Sequence, residues 1–109
     1  FLFTEESGFK KDYKLIDQIN AASGSIMDNI AEGFERSSKL EFINFLSYSK
    51  GSAGEVKSQL YRALDRNYLN EEKFQHFYSR TDEITKMSTA FISYLNKVSI
   101  KGQKFKDRL

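Results

Sequence analysis

The sequence predicts an all-α protein, an antiparallel up-down four-helix bundle. Three observations predict it. The 109 residues contain no Pro and only six Gly, which favours long helices over β-rich architecture. Apolar residues recur at steps of three and four, most clearly through Phe74, Phe77, Thr81, Ile84, Ser88, Phe91, Leu95 and Val98, a heptad seam. Short polar breaks carrying cap residues separate the periodic stretches, as antiparallel neighbours require. Residues 1–109 read as a single domain.

The elements follow in order. Phe1-Leu2-Phe3-Thr4 reads as the last turn of a first helix, most of which is expected to lie outside this numbering. Glu5-Glu6-Ser7-Gly8 is a polar break. Leu15, Ile19, Ala22, Ile26, Ile30 and Phe34 then predict a helix over about 12–34. Its small residues, Ala21 to Ser25 with Gly24 among them, form a belt that lets another helix approach closely. Ser38-Lys39-Leu40-Glu41 has the form of a capping box and starts a helix over about 39–66. Ile43, Leu46, Ala53, Leu60 and Leu64 are its stripe, and Asn67 suits a left-handed C-cap. Asn70 caps the seam helix, about 71–98, whose first turn carries Glu71 and Glu72. Thr81 and Ser88 are expected to bond back to the preceding turn of that helix.

The opening turns of the helix over 39–66 carry more apolar residues than one stripe holds: Leu40, Phe42, Ile43, Phe45, Leu46 and Tyr48. A helix apolar on two faces is buried on two faces. Leu40, Phe42, Phe45 and Tyr48 therefore point to a homo-oligomer interface. The other reading is that the first helix covers this second face within one subunit.

Composition narrows the function classes. With no Cys, neither a disulfide framework nor a thiolate metal site can form. No apolar run approaches the ~18 residues of a membrane span, and the start lacks the order of a signal peptide; a cytoplasmic protein without membrane contact is expected. His76 is the single His, and the residue three before it is Lys73, so the Glu-x-x-His pairs of bundle di-iron sites are absent. No cofactor is expected. Glu32 and Glu55 are the carboxylates of interest. As chemistry they would be a general acid/base pair. As structure they anchor polar contacts between helices, and with no third catalytic group beside them the structural reading is preferred. Removing Glu32 would then cost about 1–3 kcal/mol through buried donors left unmet.

Net charge is +2, unevenly placed. Residues 1–96 hold 12 basic against 14 acidic residues, a balance of −2, and residues 97–109 hold five basic against Asp107, a balance of +4. Lys101, Lys104, Lys106 and Arg108 in this tail are the candidate contacts to RNA or DNA. The plainer reading is a solvated helix end whose cations suit the helix dipole.

Two blocks carry a resemblance. Ser25-Ile26-Met27-Asp28-Asn29-Ile30-Ala31-Glu32-Gly33-Phe34 and Gly51-Ser52-Ala53-Gly54-Glu55-Val56-Lys57-Ser58-Gln59-Leu60 resemble, in order and spacing, the signature of a bacterial four-helix-bundle family. That family is named after proteins encoded in intervening sequences of 23S ribosomal RNA genes (S23 ribosomal protein-like). Glu41-Phe42, Phe45-Leu46, Ala63-Leu64 and Tyr68-Leu69 extend the match over roughly residues 11–95. Met27 departs from it, since family members usually carry Pro there, and implies a straighter helix. The resemblance assigns Ser25, Asn29, Glu32, Gly33, Gly51, Glu55 and Gln59 to a structural motif and adds no enzymatic activity. It also implies relatives that form homopentameric rings, one of them the accessory protein of diversity-generating retroelements, which works with a reverse transcriptase and nucleic acid. The function expected is a non-catalytic, self-associating helical scaffold. A nucleic-acid-binding accessory protein is the alternative, and an enzyme using Glu32 and Glu55 the remote one.

Overall fold

The computed structural model describes residues 9–36 and 38–98. A short 3-10 turn, Phe9–Lys11, leads into three α-helices: α1 (Tyr13–Glu35), α2 (Lys39–Asp65) and α3 (Glu71–Val98). The class is all-α, with no strand among the described residues. The bounds differ from the sequence expectation by one residue at each end of α1 and at the end of α2. The expected first-helix stump at 1–4 and the basic tail at 99–109 lie outside the described residues.

Each helix end is fixed by local chemistry. Asp12 accepts from the Leu15 N–H at 3.2 Å, and Asn70 from the Lys73 N–H at 2.7 Å. Ser38 Oγ accepts from the Glu41 N–H at 3.3 Å. The reciprocal half of the capping box is replaced: the Glu41 carboxylate turns toward Arg36 Nε, 3.9 Å away. α2 closes on Asn67, whose φ of 60° is the left-handed value expected. The Asn67 N–H donates to Leu64 O and the Tyr68 N–H to Ala63 O, at 3.0 and 2.9 Å. Those two bonds are the Schellman pattern. α1 runs unbroken through Met27.

α2 is the central element. α1 and α3 both pack along it and barely touch each other. Leu15, Ile19, Ala22 and Ile26 of α1 meet Ala53, Val56, Leu60 and Ala63 of α2, with Leu69 and Phe74 closing that end. Phe42, Leu46 and Leu95 form a second cluster at the other end. Small side chains at the α1–α2 seam allow a short separation, and the hydroxyls there are used. Ser49 Oγ donates to Ile26 O at 3.0 Å, and Ser52 Oγ to Ser25 Oγ at 2.9 Å.

Gly33 marks the tightest point. It is buried inside α1. A Cβ at this position would stand 2.7 Å from Phe45 Cβ and 3.0 Å from Phe42 Cδ1. Phe45 Cβ is tied to its backbone and cannot swing aside. Gly24 and Gly51 differ: a Cβ on either meets nothing within 4 Å, so neither is small for the sake of packing in this chain. The expected Ile26–Ile30–Phe34 stripe is also corrected at its end. Ile26 is buried and Ile30 half-buried, but Phe34 is 70% exposed, because Gly33 takes the α2-facing position. The Phe34 ring meets Phe42 edge-on at 6.0 Å.

Gly33→Ala tests this packing. In an open helix the change gains up to about 1 kcal/mol of propensity. Here overpacking, at about 1–3 kcal/mol, outweighs it. A lowered midpoint in urea unfolding is expected, and a raised one would show that α1 and α2 are not in contact at Gly33.

Candidate functional site

The two motif blocks meet along the α1–α2 seam. Asn29 Nδ2 donates to Ser25 O at 2.8 Å and to Ser25 Oγ at 2.9 Å, and Ser25 Oγ accepts from Ser52. Asn29 therefore orients the Ser25 hydroxyl toward α2. Outside this network lies a polar furrow of about 450 Å³, whose lining includes Gln18, Ser25, Ser52, Glu55, Gln59 and Arg62. Gln59 is 8% exposed, and its buried Oε1 has no hydrogen-bond donor. Arg62 reaches Gln18 Oε1 only at 3.4 Å.

The two carboxylates are not buried anchors, which corrects that expectation. The Glu32 side chain is 53% exposed and pairs with Arg36 at 2.6 Å, one turn along the same helix. The position faces outward because Gly33, its neighbour, faces α2. An exposed i,i+4 pair contributes only a few tenths of a kcal/mol, so removing Glu32 is expected to cost far less than the sequence reading gave. Glu55 is exposed on the furrow rim. The Ser25–Ser52 contact sets the register. Glu55 stands level with about residue 22, some ten residues from Glu32 along α1, or about 15 Å. That is wider than the carboxylate pairs of glycoside hydrolysis, about 5–9.5 Å. His76 lies on the exposed flank of α3, its ring 5.1 Å from Phe77. Among the described residues no three His, Cys, Asp or Glu side chains gather as metal ligands would.

Apolar side chains are also left open. Along α3 the seam alternates: Phe74, Thr81, Ser88 and Leu95 are buried, whereas Phe77 and Ile84 are half-buried and Phe91 is 43% exposed. Thr81 Oγ1 bonds back to Phe77 O at 2.9 Å. The buried half of the seam packs toward α2, and Phe77 and Ile84 of the other half border a furrow between α1 and α3. That furrow holds about 240 Å³ among residues that include Ser23, Ile26, Met27, Phe77, Thr81 and Ile84. Ser23 Oγ is buried there without a partner. At the other surface the candidate interface residues separate. Leu40 is 65% and Tyr48 57% exposed, and Phe45 is half-buried under the Arg36 guanidinium, 5.1 Å from its ring centre. Phe42 is corrected from interface to core: it is 4% exposed, with the Phe91 ring at 5.3 Å. Lys101, Lys104, Lys106 and Arg108 lie outside the described residues.

Two charged clamps hold the helices in register, and periodicity gave no sign of either. Asp12 Oδ2 accepts from Arg66 at 2.6 Å and from the Tyr68 hydroxyl at 2.9 Å, tying the start of α1 to the turn after α2. The Leu15 N–H foremost, then Tyr68 and Arg66, hold the Asp12 carboxyl below its ordinary value of 3.8. The same carboxylate pushes the Tyr68 phenol up. Between α2 and α3, Asp82 pairs with Lys57 at 2.6 Å and Lys86 at 3.1 Å. Lys57 and then Lys86 lower its carboxyl too.

No helix among the described residues is long and apolar enough to cross a membrane. A family model described as 23S rRNA-intervening sequence protein matches residues 1–90. No curated protein and no solved structure matches the chain.

The clamps make stability acid-sensitive. A carboxyl lowered in the fold stabilises it above the unfolded value and loses that contribution as pH falls through the folded one. Melting temperature is therefore expected to fall as pH drops below the ordinary carboxylate value of 3.8. Asp12→Asn is expected to melt lower near neutral pH and to show a shallower acid decline than the wild type. Parallel acid profiles for the two would remove Asp12 as a source of the sensitivity.

Proposed function

Because the chain belongs to the 23S rRNA-intervening sequence protein family, we propose that it is a non-catalytic, self-associating helical-bundle scaffold. A fourth helix seated in the α1–α3 furrow completes the bundle, and the outer surface at the start of α2 meets another subunit. The family resemblance suggests five subunits. The half-open seam of α3 carries this reading. Phe91 and its neighbours repeat at heptad spacing, and a heptad seam is built to bury both of its rows. Exposed Phe34, Met27, Met87 and Tyr94 widen the apolar face, and contiguous faces of this kind mark contact surfaces. The separation and exposure of Glu32 and Glu55 support a role other than acid/base catalysis.

The test is a pair of charge insertions read by light scattering and circular dichroism. Leu40→Glu with Tyr48→Glu is expected to lower the particle mass while leaving helicity intact, since both side chains already face outward. Phe42→Glu is expected to unfold the chain, since it places a charge in the core. Unchanged mass in the double variant would show that subunits do not meet at this surface.

A further inference from the structure

We propose that the polar furrow between α1 and α2 binds a free acidic α-amino acid, with its ammonium on Glu55 and Gln59 and its two carboxylates on Arg62 and Lys14. This goes beyond the scaffold reading and does not depend on it. The furrow opens on the side of the α1–α2 seam away from α3, since no α3 residue lines it among the described residues. Its volume of about 450 Å³ falls in the range of small-molecule sites. Ser25 and Ser52 line it with hydroxyls already bonded to each other. The groups left for a ligand are therefore Gln59 and the charges beside it.

Gln59 is the group the fold leaves unmet. It lines the furrow and is more than nine-tenths buried, yet its Oε1 has no hydrogen-bond donor. Buried acceptors are paired as a rule, so this one calls for a donor from outside the chain. A turn about the broad terminal torsion of the side chain brings the oxygen to the furrow, where an ammonium offers three N–H donors. Glu55 and Arg62 flank Gln59 on α2, four residues before it and three after. Glu55 makes no hydrogen bond or ion pair among the described residues. Arg62 gives one donor to Gln18 at 3.4 Å, of the five a guanidinium carries. Two turns of helix set these opposite charges about 10.5 Å apart along one face, too far for them to pair directly. An α-amino acid spans about 3 Å from ammonium to carboxylate, and a charge-assisted hydrogen bond at each end adds about 2.8 Å. The bridged distance of about 9 Å matches the gap.

The second carboxylate follows from what lies beyond Arg62. The furrow continues through Gln18 and Arg62 into a trough lined also by Asp12, Lys14 and Arg66. The register set by Ser25 and Ser52 puts Arg62 level with about residue 15, beside Lys14. Lys14 has no ion-pair partner among the described residues, whereas Arg66 is held by Asp12 at 2.6 Å. Lys14, Arg62 and Arg66 against Asp12 and Glu55 leave one positive charge over, which the net negative charge of an acidic amino acid balances. A simple anion is opposed by Glu55, and a neutral amino acid leaves Lys14 unmet.

Calorimetric titration of the intact chain with L-glutamate tests this, with glycine, glutarate and inorganic phosphate as comparison probes. L-Glutamate is expected to bind at one site per chain, about tenfold or more tighter than any of the other three. Glu55→Gln and Arg62→Gln are each expected to weaken it about tenfold. Both are expected to leave the melting temperature of the free chain unchanged, because both side chains are exposed. Gln59→Leu is expected to weaken binding to a similar degree and to leave the free chain as stable or more so, since it removes an unmet buried acceptor. A Gln59→Leu chain that melts lower and still binds L-glutamate at full strength would make Gln59 a structural residue and overturn the site. Glutarate or phosphate binding as tightly as L-glutamate would show an anion site only and overturn the amino-acid assignment. A wild type that does not bind L-glutamate, or binding that survives both charge substitutions, would overturn the proposal outright. Self-association is read separately from particle mass, and none of these outcomes alters it.

Discussion

The close approach of α1 to α2 is the constraint on which the rest depends. It is set by what is missing at Gly33, where any side chain would collide with Phe45, and by what is small at Ser25, Ser49 and Ser52. Ordinary apolar side chains would hold the helices farther apart. Serines in this seam would then lose their partners, and a buried hydroxyl without a partner costs about 1–3 kcal/mol. Close packing and hydroxyl pairing therefore stand or fall together. Asn29 serves the same seam from α1 by fixing the Ser25 hydroxyl toward Ser52.

That seam decides what is left for other surfaces. With α1 drawn tightly onto one side of α2 and α3 lying along another, the outer helices hardly meet. The space between them is an apolar furrow bordered by Phe77, Thr81 and Ile84 of the α3 seam. Charged clamps at Asp12 and Asp82 fix the helices lengthwise without filling that space. The result is a chain packed along α2 that leaves apolar groups open in the α1–α3 furrow and, at Leu40 and Tyr48, on another surface. The proposed assembly draws on these open apolar groups, since contiguous faces of this kind mark contact surfaces.

Periodicity carried the fold, since 3–4 spacing follows directly from helix geometry. Caps at Ser38, Asn67 and Asn70 were legible because their chemistry is local. Contacts between distant segments were not. Glu32 and Glu55 stood out in the sequence by their place in matching blocks, yet both face outward, because nothing in a one-dimensional pattern says that Gly33 rather than Glu32 turns to α2. Phe42 reads as an interface residue in the sequence for a related reason: a helix apolar on two sides does not reveal which side its own chain covers. The Asp12–Arg66–Tyr68 clamp was invisible, since its members lie 54 and 56 residues apart. Gln59 shows in the sequence only as part of a matching block; its burial with Oε1 unpaired is a property of the fold.

The most direct test of an assembling scaffold is sedimentation equilibrium of the intact chain across a wide concentration range. Assembly through the open surfaces predicts a mass that is a whole multiple of 12.7 kDa and that persists on dilution. A single 12.7 kDa species throughout, with full helicity, would show that the open apolar faces bind no second subunit and would contradict the scaffold.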